Sequence, residues 1–214
     1  MNNGAAIDDG FVYKQEVHLT VLKTSVFFAG DGFAAYTSDG QLLLRADSYG
    51  PDKRHQGELV LMDAAGKCLL TLRRKWPSLH QRWEGFSGER TEGQKPIFSV
   101  RWSSIIGRSS VTVEVYDDPG EEYKIEGCFA QRNCTIFNAA AGEEPVAEIR
   151  RKVDPSANVV LGREVFSLSL KPGFDGAFAM GLVLVLDQIH ADDHYFFANK
   201  GDDSRVGAEP ISDD

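Results

Sequence analysis

The segment from Gly173 to His190, GFDGAFAMGLVLVLDQIH, constrains the fold more than any other part of this 214-residue chain. Between Asp175 and Asp187 every residue except two glycines is hydrophobic, so the segment has no polar face. A membrane-spanning helix needs about 20 apolar residues to cross a hydrocarbon core of about 30 Å, and this run is too short. The segment therefore belongs in a protein core, as a buried helix or a buried strand.

Helix signals outweigh strand signals in this segment. Alanine, methionine and leucine, all good helix formers, make up much of it. Pro172 and Gly173 precede it, and Asp175 stands where a helix N-terminus is expected. The sequence predicts a helix over residues 175–190. A helix that is apolar on all sides must be surrounded on all sides by other elements.

Short stretches of alternating polar and apolar residues between 18 and 170 predict a mainly β fold. In VTVEVY (111–116) valine occupies every second position, and VFSLSL (165–170) repeats the pattern. Turn signals such as SDG at 38–40 separate about a dozen such stretches. We expect a closed antiparallel barrel of roughly twelve strands around the helix, because closure surrounds the helix and removes exposed sheet edges.

The negative charge of the chain is concentrated at its ends. The formal net charge is −9. Residues 192–214 carry seven acids against two bases, which gives −5, and two aspartates before residue 10 add −2, so the remainder carries −2. We expect a flexible N-terminus over residues 1–10, one domain over residues 11–190 and an acidic, disordered tail over residues 191–214.

The first residues, MNNGAAIDDG, contain neither the basic n-region nor the apolar h-region of a secretory signal. We therefore expect a cytoplasmic or nuclear protein that meets membranes only peripherally and has no transmembrane span. Cys68, Cys128 and Cys134 show no metal-type CxxC spacing, and we expect them to be free thiols with packing roles.

The sequence carries no motif for catalysis or cofactor binding. It contains no GxSxG elbow, no HExxH and no Gly-rich phosphate loop. His190 and His194 have a spacing that suits a metal on one helix face, but the aspartates between them make a polar helix end the simpler interpretation. His80 lies among tryptophans without a nucleophile, which favours a packing role. We expect no catalytic residue, no metal and no cofactor.

Three similar segments share an apolar residue, two variable positions, a second apolar residue and then Arg: LLTLRRK (69–75), IFSVRWS (97–103) and VAEIRRK (146–152). If these strand ends lie close together, they form a basic rim for anionic lipid headgroups, where each Lys or Arg adds about 1 kcal/mol. The simpler alternative is that they are solvated charges protecting strand ends. Nucleic acid is not an expected partner, because the chain is acidic and has no recognition helix. The candidate headgroup-binding residues are Arg73, Lys75, Arg101, Arg150 and Lys152.

Six segments between residues 11 and 190 read, in order, GDGFAAYTSDGQLLLR, LVLMDAAGKCLLTLRRK, SLHQRW, IEGCFAQRNCTI, VAEIRRK and PGFDGAFAMGLVLVLDQI. Together they resemble the plant LURP-one-related family. The resemblance implies a tubby-like fold, a twelve-stranded barrel around a hydrophobic C-terminal helix, and a distant relation to phospholipid scramblases. True tubby proteins bind phosphoinositides through basic residues, but no tubby headgroup motif aligns with this chain.

The resemblance implies a plant protein of defence or stress responses, in a family where most members have no defined biochemical activity. We expect a non-enzymatic protein that associates with membranes through anionic phospholipids, including phosphoinositides. Two alternatives stay open. One is an interaction scaffold with unidentified protein partners and no lipid affinity, and the other is a scramblase-like lipid-handling protein, which requires the central helix to leave the barrel.

Overall fold

In the computed structural model, fourteen strands precede one long helix within the part of the chain that the structure describes. That part comprises residues 7–23, 32–48, 57–75, 82–105, 108–116, 121–139, 142–154 and 156–200, with the backbone alone at 47–48, 103–105, 108–109 and 192–200. The elements are β1 (Val17–Lys23), β2 (Gly32–Tyr36), β3 (Leu42–Ser48), β4 (Glu58–Asp63), β5 (Cys68–Arg74), β6 (Arg82–Ser87), β7 (Phe98–Ile105), β8 (Arg108–Val115), β9 (Glu122–Cys128), β10 (Asn133–Asn138), β11 (Glu144–Arg151), β12 (Val153–Asp154), β13 (Val159–Val160), β14 (Val165–Leu170) and α1 (Gly176–Lys200).

Twelve of the strands close into one antiparallel barrel, in the order β1-β14-β11-β10-β9-β8-β7-β6-β5-β4-β3-β2. Strand β1 completes the ring by pairing with β14 on one side and β2 on the other. The remaining two strands, β12 and β13, form a separate small hairpin. The predicted fold class, a roughly twelve-stranded closed antiparallel barrel enclosing a C-terminal helix, is confirmed.

Helix α1 fills the barrel. Every residue from Ala177 to Asp187 is buried, which confirms that the apolar segment forms part of the core. The ring of Phe178 meets those of Phe98 and Tyr123 at centroid distances of 5.0 and 5.6 Å. A Cβ on Gly181 would lie 2.5 Å from a methyl carbon of Leu70, so this glycine lets β5 approach the helix closely.

Asp175 caps the start of α1, as its position predicts. One carboxylate oxygen accepts hydrogen bonds from the backbone N–H groups of Ala177 (2.6 Å) and Phe178 (3.0 Å). The other accepts from the backbone N–H groups of Ile7 and Asp8. The same side chain therefore satisfies two orphan donors of the helix and ties part of the predicted flexible N-terminus to the barrel.

Helix α1 continues past its predicted end at residue 190 and finishes at Lys200. The residues after 190 include no proline or glycine until Gly201, so the first strong stop signal comes later than the change in polarity. Of the predicted termini, residues 1–6 and 201–214 lie outside the described residues. Among the described helices, none has the length and apolarity that a bilayer crossing needs.

Strand β5 departs from the alternation predicted from its sequence. Leu69 and Leu70 are both buried, although a period of two places them on opposite faces. The pairing with β4 explains the difference, because Leu61 lies opposite Leu70 and Met62 lies opposite Cys68. Leu69 is therefore the extra residue of a β-bulge, which no simple period reveals.

Substitution of Leu184, which is 2% exposed, tests the central helix. The Leu184→Asp variant places an uncompensated charge inside the barrel, at a cost of about 3–5 kcal/mol against a typical total stability of about 5–15 kcal/mol. We expect the cooperative transition in scanning calorimetry to weaken severely or disappear. Ala191→Asp, at an exposed position of the same helix, is the matched control and should melt like the wild type. A Leu184→Asp protein with an unchanged melting temperature contradicts a buried α1.

Candidate functional site

The end of the barrel from which α1 emerges is termed the exit end. Because neighbouring strands are antiparallel, β1, β3, β5, β7, β9 and β11 all finish at the same end. Helix α1 follows β14 and runs back through the barrel. Asp187, near the end of its buried part, contacts Lys23 at the end of β1, so α1 leaves the barrel where β1 finishes.

A cluster of three charged side chains, Lys23, Arg132 and Asp187, holds α1 at the exit end. The Lys23 Nζ lies 3.0 Å from each carboxylate oxygen of Asp187. The Arg132 Nη2 lies 3.9 Å from Oδ1 of the same carboxylate, and the two side chains are only 6% and 7% exposed. Two cations therefore face one buried carboxylate, and Glu164 also attracts Arg132.

The guanidinium of Arg132 is fixed between aromatic rings. It lies 4.2 Å from the centroid of Phe129 and 4.6 Å from that of Phe166. Its Nε donates to the carbonyl of Arg163 at 2.9 Å, whereas Nη1 has no hydrogen-bond partner in the described part of the chain. Burial lowers the pKa of Arg132, and the negative charge of Asp187 opposes that shift.

The structure does not bring the five predicted headgroup residues into one contiguous rim. Arg73 and Lys75 lie at the end of β5, and Arg150 and Lys152 lie at the end of β11; five strands separate β5 from β11 in either direction around the barrel. Arg101 lies on β7, near the β5 group. The expected rim is therefore divided into two groups on opposite walls, because similar strand ends can occupy any position around a barrel.

On the β5 side each predicted cation has a carboxylate partner on a neighbouring strand. The three basic side chains are 43–51% exposed, whereas Glu58 and Glu84 are only 15% and 16% exposed. Glu84 and Glu114 each pair with one of these cations, but Glu58 also pairs with Arg90 at 2.7 Å, so two cations share that carboxylate. The pairs are Arg73–Glu58 (3.9 Å), Lys75–Glu84 (2.8 Å) and Arg101–Glu114 (2.8 Å).

On the β11 side two basic residues have no carboxylate partner among the described residues. The Lys152 Nζ donates to the hydroxyl of Thr20, and the Arg151 Nη2 donates to the carbonyl of Leu161 at 3.2 Å. Arg150, in contrast, lies 3.3 Å from Glu148. Of the predicted residues on this wall, Arg150 is therefore paired with a carboxylate, whereas Lys152 has no carboxylate partner among the described residues.

The hairpin of β12 and β13 exposes aliphatic side chains next to these cations. Val153, Val159 and Val160 are 44%, 56% and 48% exposed, and they are three of the four exposed large hydrophobic residues in the described part of the chain. Exposed Arg163 follows the hairpin in the sequence. The hairpin site is defined as Arg151, Lys152, Val153, Val159, Val160 and Arg163.

The described residues hold no group of three His, Cys, Asp or Glu side chains that could bind a metal ion. His190 lies near the end of the buried part of α1 and is half-buried. The side chain of His194 lies outside the described residues, as does the whole of His80. The histidine pair considered from the sequence is therefore described at only one of its two positions.

The hairpin site and the charged cluster were not identified from the sequence. The hairpin valines lie in strands of only two residues, too short to give an alternation signal. The cluster joins three distant parts of the chain, and its one sequence signal is Asp187 at the end of an apolar run.

Removal of the buried carboxylate tests the charged cluster. The Asp187→Asn variant removes the buried carboxylate that Lys23 and Arg132 share, and we expect the free energy of unfolding in urea to fall by about 3–5 kcal/mol. The control Glu114→Gln makes the same chemical change in the pair with Arg101, where both side chains are more exposed (38% and 43%), and should cost at most about 1 kcal/mol. Equal losses in the two variants would show that Asp187 is not a buried counter-ion.

The cysteines should differ in reactivity. All three thiols are free, as predicted. Burial raises the pKa of Cys134 to about 12, so at pH 8 only about one molecule in ten thousand carries its thiolate. Cys128 is exposed. We expect iodoacetamide to label Cys128 rapidly and Cys134 only after unfolding, measured by peptide mass spectrometry, and Cys128→Ser should remove the rapid phase. Equal labelling rates in the folded protein contradict a buried Cys134.

Comparisons with known proteins identify the family. The LURP-one-related family model matches residues 17–187. The Arabidopsis thaliana protein LURP-one-related 12 is 63% identical over 193 residues, covering 90% of this chain and 87% of its own. LURP-one-related 5 of the same plant is 65% identical over 195 residues, covering 90% and 92%. An X-ray structure of an Arabidopsis thaliana protein has the same fold, with a TM-score of 0.64 at 20% identity, covering 88% of this chain and 99% of its own. The family match spans the barrel and the buried part of α1, and the chain belongs to the LURP-one-related family.

Proposed function

We propose that this protein is a non-catalytic module that associates peripherally with anionic membranes through the hairpin site. The observation that carries the proposal is the exposed valine hairpin beside Arg151, Lys152 and Arg163. An exposed apolar patch next to cations without a carboxylate partner suits the surface of a membrane, where anionic headgroups cover an apolar interior. The valines would enter the headgroup region, and the cations would contact lipid phosphates.

The charge distribution supports a weak and reversible interaction. Each Lys or Arg near an acidic membrane surface adds about 1 kcal/mol, so the three cations of the hairpin site provide at most about 3 kcal/mol, which Asp154 in β12 and Glu164 beside Arg163 reduce. The acidic residues of 192–214 and the overall charge of −9 oppose approach to an anionic surface. Membranes rich in multiply charged headgroups, such as phosphoinositides, are therefore the preferred partners in this proposal.

The barrel interior supports a surface role over a scramblase-like one. The described part of α1 is buried along its apolar length, and the Lys23–Asp187 contact adds a charged link at the exit end. Lipid translocation through the barrel would require the helix to leave and expose that surface. A membrane-bound module needs no such rearrangement.

Vesicle binding by two matched triple variants tests the hairpin site. Arg151→Gln/Lys152→Gln/Arg163→Gln removes its three cations, and Arg73→Gln/Lys75→Gln/Arg101→Gln removes three paired cations on the opposite wall. In cosedimentation with vesicles containing phosphatidylserine and phosphoinositides, we expect the first variant to bind about 100-fold more weakly. The second should bind within about threefold of the wild type, because each of its cations already has a carboxylate within 4 Å.

Two further measurements complete this experiment. Binding should weaken as salt rises above 0.1 M, where the screening length is already about 10 Å, and Val159→Asp should reduce binding without changing the melting temperature. Equal losses in the two triple variants would overturn the assignment to the hairpin site. An absence of wild-type binding to every anionic vesicle would favour the interaction scaffold without lipid affinity.

A further inference from the structure

A cavity of about 210 Å³ opens at the exit end, between α1 and the wall formed by β7 to β10. Its apolar lining comes from strands β7, β8 and β9, from the short 3-10 helix Phe129–Gln131 and from α1. Exposed Cys128 and half-buried His190 also line it. The apolar residues are Trp102, Val111, Ile125, Phe129, Leu186 and Ile189.

The wall of this cavity is mixed in character. Val111 lies opposite both Trp102 and Ile125, and the Val111–Ile125 pair is the last one between β8 and β9, so Gly127 and Cys128 at the end of β9 pair only with β10. About half of the lining surface is polar, and the apolar side chains make up the rest. A hydrocarbon chain would lie against these apolar side chains.

A positive charge lies beside the cavity. Phe129 lines the cavity and also stacks on the guanidinium of Arg132 at 4.2 Å. Leu186 lines the cavity and directly precedes Asp187 in α1. Lys23 and Arg132 do not line the cavity themselves, and Glu164 also attracts Arg132, so the two cations would attract an anionic head group only over a distance.

The size of the cavity limits the length of the ligand. The cavity volume is about 210 Å³. Pockets for drug-sized ligands are usually about 300–1,000 Å³. The cavity therefore holds a single medium-length chain and excludes a whole two-chain lipid.

We propose that this cavity binds the hydrocarbon chain of an amphiphile with an anionic head. The amphiphile is either a free fatty acid or an anionic phospholipid that inserts one chain. The proposal does not depend on the hairpin site, because the cavity lies against β7 to β10 and the hairpin lies between β11 and β14. Chain binding can therefore succeed or fail independently of membrane association through the hairpin.

Trp102 provides a built-in reporter for the test. A fatty acid with a terminal bromine, such as ω-bromo-octanoate, should quench the fluorescence of Trp102 on contact, and Trp102→Phe should remove the quenched component. Competition by unlabelled fatty acids from hexanoate to dodecanoate should strengthen about fourfold for each added methylene, up to about eight carbons, and then level off. Failure of the wild type to show quenching overturns the proposal, as does affinity that does not change with chain length.

A matched pair of variants locates the bound chain. Ala130→Phe fills the cavity, because Ala130 lines it, whereas Gln131→Phe adds the same ring at the exposed neighbouring position. We expect Ala130→Phe to weaken binding by at least about tenfold, which corresponds to losing between one and two buried methylenes, and Gln131→Phe to bind like the wild type. Thermal melting of both variants checks that they fold. Undiminished binding in a folded Ala130→Phe protein, or equal losses in both variants, overturns the assignment.

Vesicles containing chain-brominated phosphatidylglycerol distinguish the two sources of the chain. Quenching of Trp102 by these vesicles assigns the cavity to a membrane lipid, whereas quenching by free fatty acid alone assigns it to a soluble ligand. The triple variant of the hairpin site should retain quenching by free fatty acid. If it instead loses this quenching while folding normally, the cavity does not act as an independent site and the proposal is overturned.

Discussion

The absence of a polar face on α1 is the constraint on which the rest of the structure depends. Such a helix is stable in water only when other elements surround it. The interior of an eight-stranded barrel is just wide enough for its own side chains, whereas a helix with side chains is about 10–12 Å across. A larger ring is needed, and twelve strands provide it. Gly181, where a Cβ would lie 2.5 Å from Leu70, shows how closely the helix and the ring are matched.

The main features of the fold could be predicted because local signals determine them. The run of apolar residues, Asp175 at its start and the alternation in VTVEVY each act within a few residues of the chain. The signals failed where the determining contact is distant or irregular. The bulge at Leu69 depends on its pairing with β4, and α1 passes its predicted end because polar residues after 190 still permit a helix. The hairpin of β12 and β13 is too short to give a periodic signal.

The candidate site was less predictable than the fold. Sequence similarity identifies strands with alike basic residues. The order of the strands around the barrel decides which of these residues are neighbours. Arg73 and Arg150 end similar segments and lie on opposite walls. Neutralising carboxylates such as Glu84 and Glu114 also lie on adjacent strands, so only the assembled sheet shows which cations keep their charge. Lys152 and Arg151, which was not predicted, have no carboxylate partner among the described residues, because Lys152 donates to a hydroxyl and Arg151 to a carbonyl.

The pairing of β1 with β14 has a consequence for the synthesis of this protein on the ribosome. The first barrel strand to emerge can complete the ring only with the last one, and the helix that fills the ring is made after both. At about 5–20 residues per second, roughly 8–32 s separate the emergence of β1 from that of α1. During this interval the strands have apolar faces without a helix to cover them and edges without final partners. The ring has no free edge in the mature barrel, but its closure by the first and last strands leaves the nascent chain exposed to aggregation until synthesis is nearly complete.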